Sequence, residues 1–301
     1  MLHYGIEMLL SRKIKETIIK NIFFISAAFS IFIILFIFYF LFVQAFPAFQ
    51  HVGFGIFSTD WVVSEGKYGI GAAIYGTIIV TLGAMIIAIP LGIAGAIFLS
   101  ELAPSYLRTI LKPLIELLAG VPSIVFGFIG IVILVNYLQP TFGLLSGYTF
   151  LAGSLILGIM AIPIIVSMSD DAIKAVPREL KEASLAVGAT KWQTIKKIII
   201  PTSISGISAA VILGIGRAVG ETMAVSLVLA NTMKIPVPPW NIFQSTGSTI
   251  TSLIFTHTGE ATGLATNALF ASAVILFIIV AIMSIASNIL KEHIQKKFKG
   301  G

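Results

Sequence analysis

Residues 213–225, Leu213-Gly214-Ile215-Gly216-Arg217-Ala218-Val219-Gly220-Glu221-Thr222-Met223-Ala224-Val225, lie inside a long apolar segment. Arg217 and Glu221 are the only charged residues between Lys197 and Lys234, and Arg217 falls close to the midpoint of that interval. A charge at mid-bilayer costs about 2.5–3.5 kcal/mol on insertion scales, so its presence demands a reason. On a continuous helix the four-residue spacing puts both side chains on one face, within reach of each other. Arg preceding Glu is the weaker order for such a pair, so helix stability alone explains it poorly. Two readings follow: a buried ion pair that locks helices together, or charges that face a pathway or substrate, the default for intramembrane charges. Gly216 and Gly220 form a GxxxG interleaved with the pair, which lets another backbone approach.

Working outward, the whole chain has the same character. Of 301 residues, 57% are hydrophobic and only 11% are charged, with a mean hydropathy of +1.03. An ordinary soluble domain carries about 25% charged residues, so this is an all-α polytopic membrane protein. The net charge of +6 is no nucleic-acid signal, because the position of the cations matters more than their number. Cysteine is absent, which excludes disulfides, thiolate metal sites and Cys nucleophiles. His3, His51, His257 and His293 are too scattered to form a metal-ligand cluster, and no metal site is expected.

Six spans are predicted, at about 21–46, 70–100, 118–138, 149–169, 202–230 and 264–290, from charge-free runs near the roughly 20 residues a bilayer needs. They are flanked by an N-terminal segment, 1–20, and a basic tail, 291–301. Span one is too long for a signal-peptide core, so a retained helix is preferred. Pro90 is a candidate kink in span two. Gly120-Val121-Pro122-Ser123 predicts a broken or kinked start to span three. Arg108, Lys112 and Glu116 recur every four residues, as on the wet face of a surface helix. Trp61, Tyr68 and Trp240 suit a membrane interface, and 248–256 is a candidate short helix.

Six spans put both termini on one side, and the cations test this. Four Lys or Arg in the N-terminal segment, two in 101–116, six in 170–200 and four in the tail make sixteen on that side; Lys67 and Lys234 are the two opposite. The positive-inside rule makes the termini cytoplasmic and the protein a multi-pass cell-membrane protein.

Residues 170–201 are the most polar part of the protein. Pro177 suits the first position of a helix, Gly188 the residue just past its end, and Thr190 the cap of a second helix stopping before Pro201. The product is a projecting helix-turn-helix, with Ala183, Ser184 and Ala186 keeping the first helix slim. An amphipathic loop lying on anionic lipid is the alternative that the lysines alone would support.

Glu182-Ala183-Ser184, Gly188 and Ile198-Ile199-Ile200-Pro201 resemble the EAA loop of ABC importer permeases: Glu-Ala-Ala, three residues, Gly, nine residues, Ile, one residue, Leu-Pro. The spacing matches throughout; Ser184 and Ile200 depart mildly. Residues 118–127 (LAGVPSIVFG) and 216–225 (GRAVGETMAV) resemble the phosphate-specific branch, and the ending Glu-Thr-Met-Ala-Val looks like its PstC type. The first of these motifs is shared more widely among oxyanion permeases, so phosphate rests mainly on the second. The resemblance implies a type I ABC importer permease fold with 170–201 as the coupling loop, in which Glu182, Ala183 and Gly188 belong to a helix that docks on the ATPase. It implies a PstA-type partner permease, two ATPase subunits that hold ATP and Mg, an extracytoplasmic phosphate-binding protein, and surrounding lipid, with no nucleic acid. It also implies that Arg217 and Glu221 matter for transport. Glu221 would hold Arg217 when no phosphate is bound, pair with an Arg of a partner subunit, or accept a proton from phosphate.

No GxxxxGK[ST] occurs, so ATP hydrolysis must be supplied in trans, and HExxH and GxSxG are also missing. The chain is therefore read as a transport subunit rather than an enzyme. A permease for another oxyanion such as sulfate is one alternative. An ion-coupled secondary transporter using Arg217 and Glu221 as a relay is another; it would need no docking loop, and inverted repeats would be expected.

Overall fold

A computed structural model describes the backbone of residues 2–239, 241 and 245–299, and the side chains of 15–239, 241, 245–289 and 292. The expectation for Trp240 lies outside the described residues. Apolar runs with no backbone partner in lipid must satisfy their own hydrogen bonds, and the chain is accordingly helical almost throughout.

The first helix, α1 (Leu2–Val52), is continuous through the predicted first span and beyond it at both ends. A short hairpin, β1 (Trp61–Val62) and β2 (Lys67–Tyr68), precedes α2 (Gly71–Ile97). α2 closes in a π-helical turn, Phe98–Leu102. Then come α3 (Ser105–Ala119), α4 (Ser123–Ile129), a π-helical stretch Gly130–Val135, α5 (Asn136–Thr141) and α6 (Phe150–Lys174). The polar loop forms α7 (Arg178–Ala186) and α8 (Lys191–Thr194), and a π-helical turn Ile195–Ile199 leads into α9 (Ile200–Gly220). After α10 (Met223–Val228) and α11 (Ile250–His257), α12 (Leu264–Lys299) ends the chain. Among the described residues, six helical segments are long and apolar enough to cross a membrane.

Glycines set the packing at the centre. Ile165 of α6 is wholly buried, between Gly92 of α2 and Gly214 of α9. A Cβ on Gly92 would lie 2.6 Å from Ile165 Cγ2, and one on Gly214 2.9 Å from Ile165 Cδ1. Only residues without side chains let three helices close around one isoleucine. At the other face of the bundle the C-terminal half of α1 packs on α12, with Phe38 against Phe277 and Phe40 edge-on to Phe270. Asn267 Nδ2 also donates to the Gln44 carbonyl, 2.6 Å away.

Four expectations need correction. Span five is not one helix to residue 230: α9 stops at Gly220 and a separate short helix follows. Pro201 does not end the second loop helix, which continues into α9; the π-helical turn before Pro201 widens the helix where proline can neither donate nor tolerate a close carbonyl one turn back. Trp61 and Tyr68 are buried rather than exposed at an interface; they oppose each other across the hairpin and meet edge-on at 5.7 Å, with His257 beside Trp61.

The fourth concerns α3, whose cations face the protein. Arg108 and Lys112 turn toward the wholly buried Asp170 of α6, leaving Tyr106, Ile110, Leu114 and Leu117 on the outer side. Lys112 Nζ donates to Asp171 Oδ1 at 2.8 Å and to Ser167 Oγ at 3.0 Å, and lies 3.2 Å from Asp170 Oδ2; Lys174 pairs with Asp170 as well. Burial pulls the Lys112 ammonium down, but hydrogen bonds to Asp171 and Asp170 outweigh it and raise its pKa. A buried carboxylate needs a compensating partner, which the cations supply here, and a helix against lipid can afford an apolar outer face. The broken start of span three is present: α3 ends at Ala119 and α4 begins at Ser123, with Pro122 as the capping residue.

Candidate functional site

Contacts between α6 and α9 fix the depth of Arg217. The two helices run antiparallel, with Gly206 against Ala172 and Gly214 against Ile165. Carried on at about 1.5 Å per residue, this register sets Arg217 level with Ala161 and Ile162, the middle of α6. Arg217 is exposed, on one face with Leu213, Gly216 and Gly220. A Cβ on either glycine would meet nothing within 4 Å, so the GxxxG opens outward and holds no helix among the described residues. Among the described residues Arg217 has no ion pair and no hydrogen bond, and its guanidinium fork is free.

Glu221 is placed otherwise. At φ −70° and ψ 128° it is the residue after which the chain leaves the helix, and no ion pair or hydrogen bond joins its side chain to Arg217. Its side chain is 8% exposed, and Oε1 accepts the Ala224 N–H at 3.3 Å, capping α10. Its carbonyl accepts the Thr251 hydroxyl at 2.9 Å. A carboxylate at a helix N-terminus meets unpaired N–H groups and the positive end of the dipole, which explains how a buried Glu persists without a cation.

Polar contacts from distant parts of the chain hold this break. Ser226 Oγ donates to Ser252 Oγ at 2.9 Å, and Asn231, itself in a left-handed conformation, donates to the Ser226 carbonyl at 3.0 Å and accepts from Ser252. Thr77 of α2 accepts the Ile250 N–H at 3.0 Å, fixing α11 to the bundle. On the other flank Ala224 and Leu227 of α10 press against Gly127 of α4. A cavity of about 520 Å³ opens beside the break, walled by Thr222, Thr251, Ile254, Phe255, Thr258 and Gly259. Sequence reasoning singled out neither the hydroxyl web nor Asp170: serines and threonines in a loop read as solvated, and nothing local to Asp170 shows that α3 covers it. Among the described residues no cluster of three or more His, Asp or Glu side chains could hold a metal ion.

The polar loop is a helix-turn-helix. Pro177 immediately precedes α7, and Gly188 has φ +84°, the left-handed conformation expected past the helix end. Thr190 and Gln193 exchange hydrogen bonds at the start of α8 in a capping box. Ser184 Oγ and Thr194 Oγ1, 3.0 Å apart, tie the two helices together. Glu182, Ala183 and Gly188 are exposed, as are Leu180, Leu185 and Val187. The loop thus displays apolar side chains on a polar projection, as a protein-docking surface does.

Comparison with known proteins agrees with this geometry. Residues 88–300 match the family described as binding-protein-dependent transport system inner membrane component. The chain is 41% identical over 217 residues to a probable ABC transporter permease protein, YqgH, of Bacillus subtilis, covering 71% of this chain and 69% of that one. It is 37% identical over 267 residues to the phosphate transport system permease protein PstC of Xylella fastidiosa, covering 82% and 81%. Among solved structures, a chain of a bacterial alginate ABC transporter, in complex with an alginate pentasaccharide-bound periplasmic protein, shares the fold with a TM-score of 0.61 at 18% identity, covering 92% of this chain and 97% of that one. Six apolar helices, a broken fifth span and a projecting helix-turn-helix are thus the features of a multi-pass protein that belongs to the inner-membrane components of binding-protein-dependent transport systems.

Proposed function

We propose that this chain is the PstC-type permease subunit of an ATP-driven phosphate importer, and that Arg217 meets phosphate on the translocation path. The observation that carries this is the guanidinium of Arg217, unpaired among the described residues and level with the middle of α6 on a face that no other described residue covers. A cation there cannot face lipid at low cost, so the face borders a path between this chain and a second permease subunit. Phosphate brings one to two negative charges to the same depth, and the planar fork of Arg matches two of its oxygens while staying protonated. Gly216 and Gly220 leave room for an ion beside the side chain.

The partner is a homologous PstA-type subunit, with α7 of this chain docking on one of two ATPase subunits through the surface around Glu182, Ala183 and Gly188. Those subunits hold ATP and magnesium, and an extracytoplasmic phosphate-binding protein delivers the cargo. The termini and α7 are then cytoplasmic. An ion-coupled relay through Arg217 and Glu221 is disfavoured, because the two side chains make no hydrogen bond to each other.

Labelled-phosphate uptake, normalised to assembled complex, tests the reading. Arg217→Gln should abolish uptake while insertion and ATPase assembly continue, and Arg217→Lys should be partly active, since it keeps charge but loses the fork. Wild-type uptake by an assembled Arg217→Gln complex would sink the substrate role.

A further inference from the structure

Glu101 and Lys181 join the polar loop to a span it does not adjoin in sequence. Glu101 lies in the π-helical turn that ends α2, and Lys181 is in the middle of α7. Lys181 Nζ donates to Glu101 Oε1 at 2.6 Å, with the side chains only 22% and 13% exposed. Exposed ion pairs contribute little, but a sheltered, charge-assisted contact resists separation because each charge would lose its partner away from water. We propose that this pair is the positioning contact through which α7 carries α2 when the ATPase moves it. The proposal rests on the reading of α7 as the docking helix.

The surroundings show what the pair adds to the packing between α2 and the loop. Ser184 and Thr194 hold α7 to α8. Below them Ile195 and Ile199 share an apolar cluster with Ile173 and Val176 at the end of α6, Ile207 of α9 and Ala96 of α2. That cluster couples α6, α9 and, through Ile93, Ala96 and Ile97, α2 to the loop by packing. The end of α2 beyond Ala96 has turned π-helical, a geometry frequent at functional sites, and Glu101 is its polar tie to α7. Further along α2, Val80, Ala84 and Ala88 belong to the core that contains Ala218, Ala224 and Val225, the buried residues around the break after α9. Displacement of α7 thus reaches both flanks of the Arg217 region, through α9 directly and through Glu101 and α2.

Spatial continuity alone does not demonstrate coupling, so the test is a charge exchange in the intact complex. Proteoliposomes holding this chain, its partner permease and the ATPase subunits are supplied with phosphate-loaded binding protein. Lys181→Glu and Glu101→Lys should each keep the ATPase subunits bound and basal hydrolysis intact, while stimulated hydrolysis and labelled-phosphate uptake fall about tenfold, the scale of an ordinary coupling energy. The combined exchange should restore most of both. Singles that couple like wild type, or an assembled double variant as poor as the singles, would overturn the proposal. If the reversals fail to reach the membrane, Lys181→Met and Glu101→Gln remove the attraction without repulsion and are judged by the same coupling loss. Crosslinking Glu182→Cys, the sole cysteine in this chain, to the ATPase probes the docking reading separately. A transport-competent complex without that crosslink would defeat docking, whereas the charge exchange reads on the pair.

Discussion

Arg217 and Glu221 are four residues apart, yet no ion pair or hydrogen bond joins them, and one is exposed while the other is buried. α9 ends between them, Arg217 stays on the open side, and the Glu221 carboxylate folds onto the Ala224 N–H. Their roles are therefore separable. Arg217 offers charge to whatever occupies the open face, and Glu221 holds the break that ends the helix beside it.

This separation predicts a near-zero interaction in a double-mutant cycle. Arg217→Leu and Glu221→Leu should couple by less than about 0.5 kcal/mol, the lower end for residues that interact directly. Glu221→Gln keeps the acceptor for Ala224 and should cost little, whereas Glu221→Ala should lose about 0.5–2 kcal/mol, as when a capping side chain is removed. Thermal unfolding of the detergent-solubilised complex reads both. A strongly favourable Arg217–Glu221 coupling would show that the two charges do pair.

Lys112 predicts a cost on the opposite sign of charge. Lys112→Met takes the closest α3 cation from the wholly buried Asp170, which keeps Lys174 and the more distant Arg108, so the cost should be that of one lost charge-assisted contact, about 1.5–3 kcal/mol. Adding Asp170→Asn should recover part of the loss, because the buried charge that Lys112 helped to balance disappears. The raised Lys112 pKa means its contribution is complete below the ordinary lysine value of about 10.4 and is lost only as pH rises through the raised value. Equal instability of single and double variants would make the network irrelevant to stability.

These two sites also show where the fold was legible. The spans could be read because charge-free runs of bilayer length have few other uses, and the depth of Arg217 followed from its place between Lys197 and Lys234. The break after Gly220 could not: apolar periodicity runs on past it with no proline, and the cap works only because Thr251 and α4 arrive from elsewhere. Likewise Arg108 and Lys112 have the spacing of a wet face, and only the buried Asp170 in another helix shows which side they meet. Local pattern names the face, but not what covers it.

The cation distribution predicts orientation. A cysteine in place of Ser64, exposed on the hairpin before α2, should react with an impermeant maleimide in intact cells, while one at exposed Thr190 should react only after permeabilisation. Labelling of Thr190→Cys alone in intact cells would invert the protein and remove α7 from the ATPase side.

Gly188 predicts the sharpest dissection of the docking surface. A Cβ there would touch nothing within 4 Å, so substitution brings no clash, only the strain of φ +84°. Left-handed backbone costs an ordinary L-residue about 1–2 kcal/mol, and most for a β-branched one, while Asn tolerates it. Gly188→Val should therefore twist the turn between α7 and α8, displace Glu182 and Ala183, and release the ATPase on purification, although the protein still inserts. Gly188→Asn should keep both the turn and the ATPase. The comparison separates backbone conformation from loss of glycine itself, since both variants add a side chain of similar reach. Equal retention of the ATPase by Gly188→Val and wild type, with normal uptake, would mean that α7 is not the docking helix.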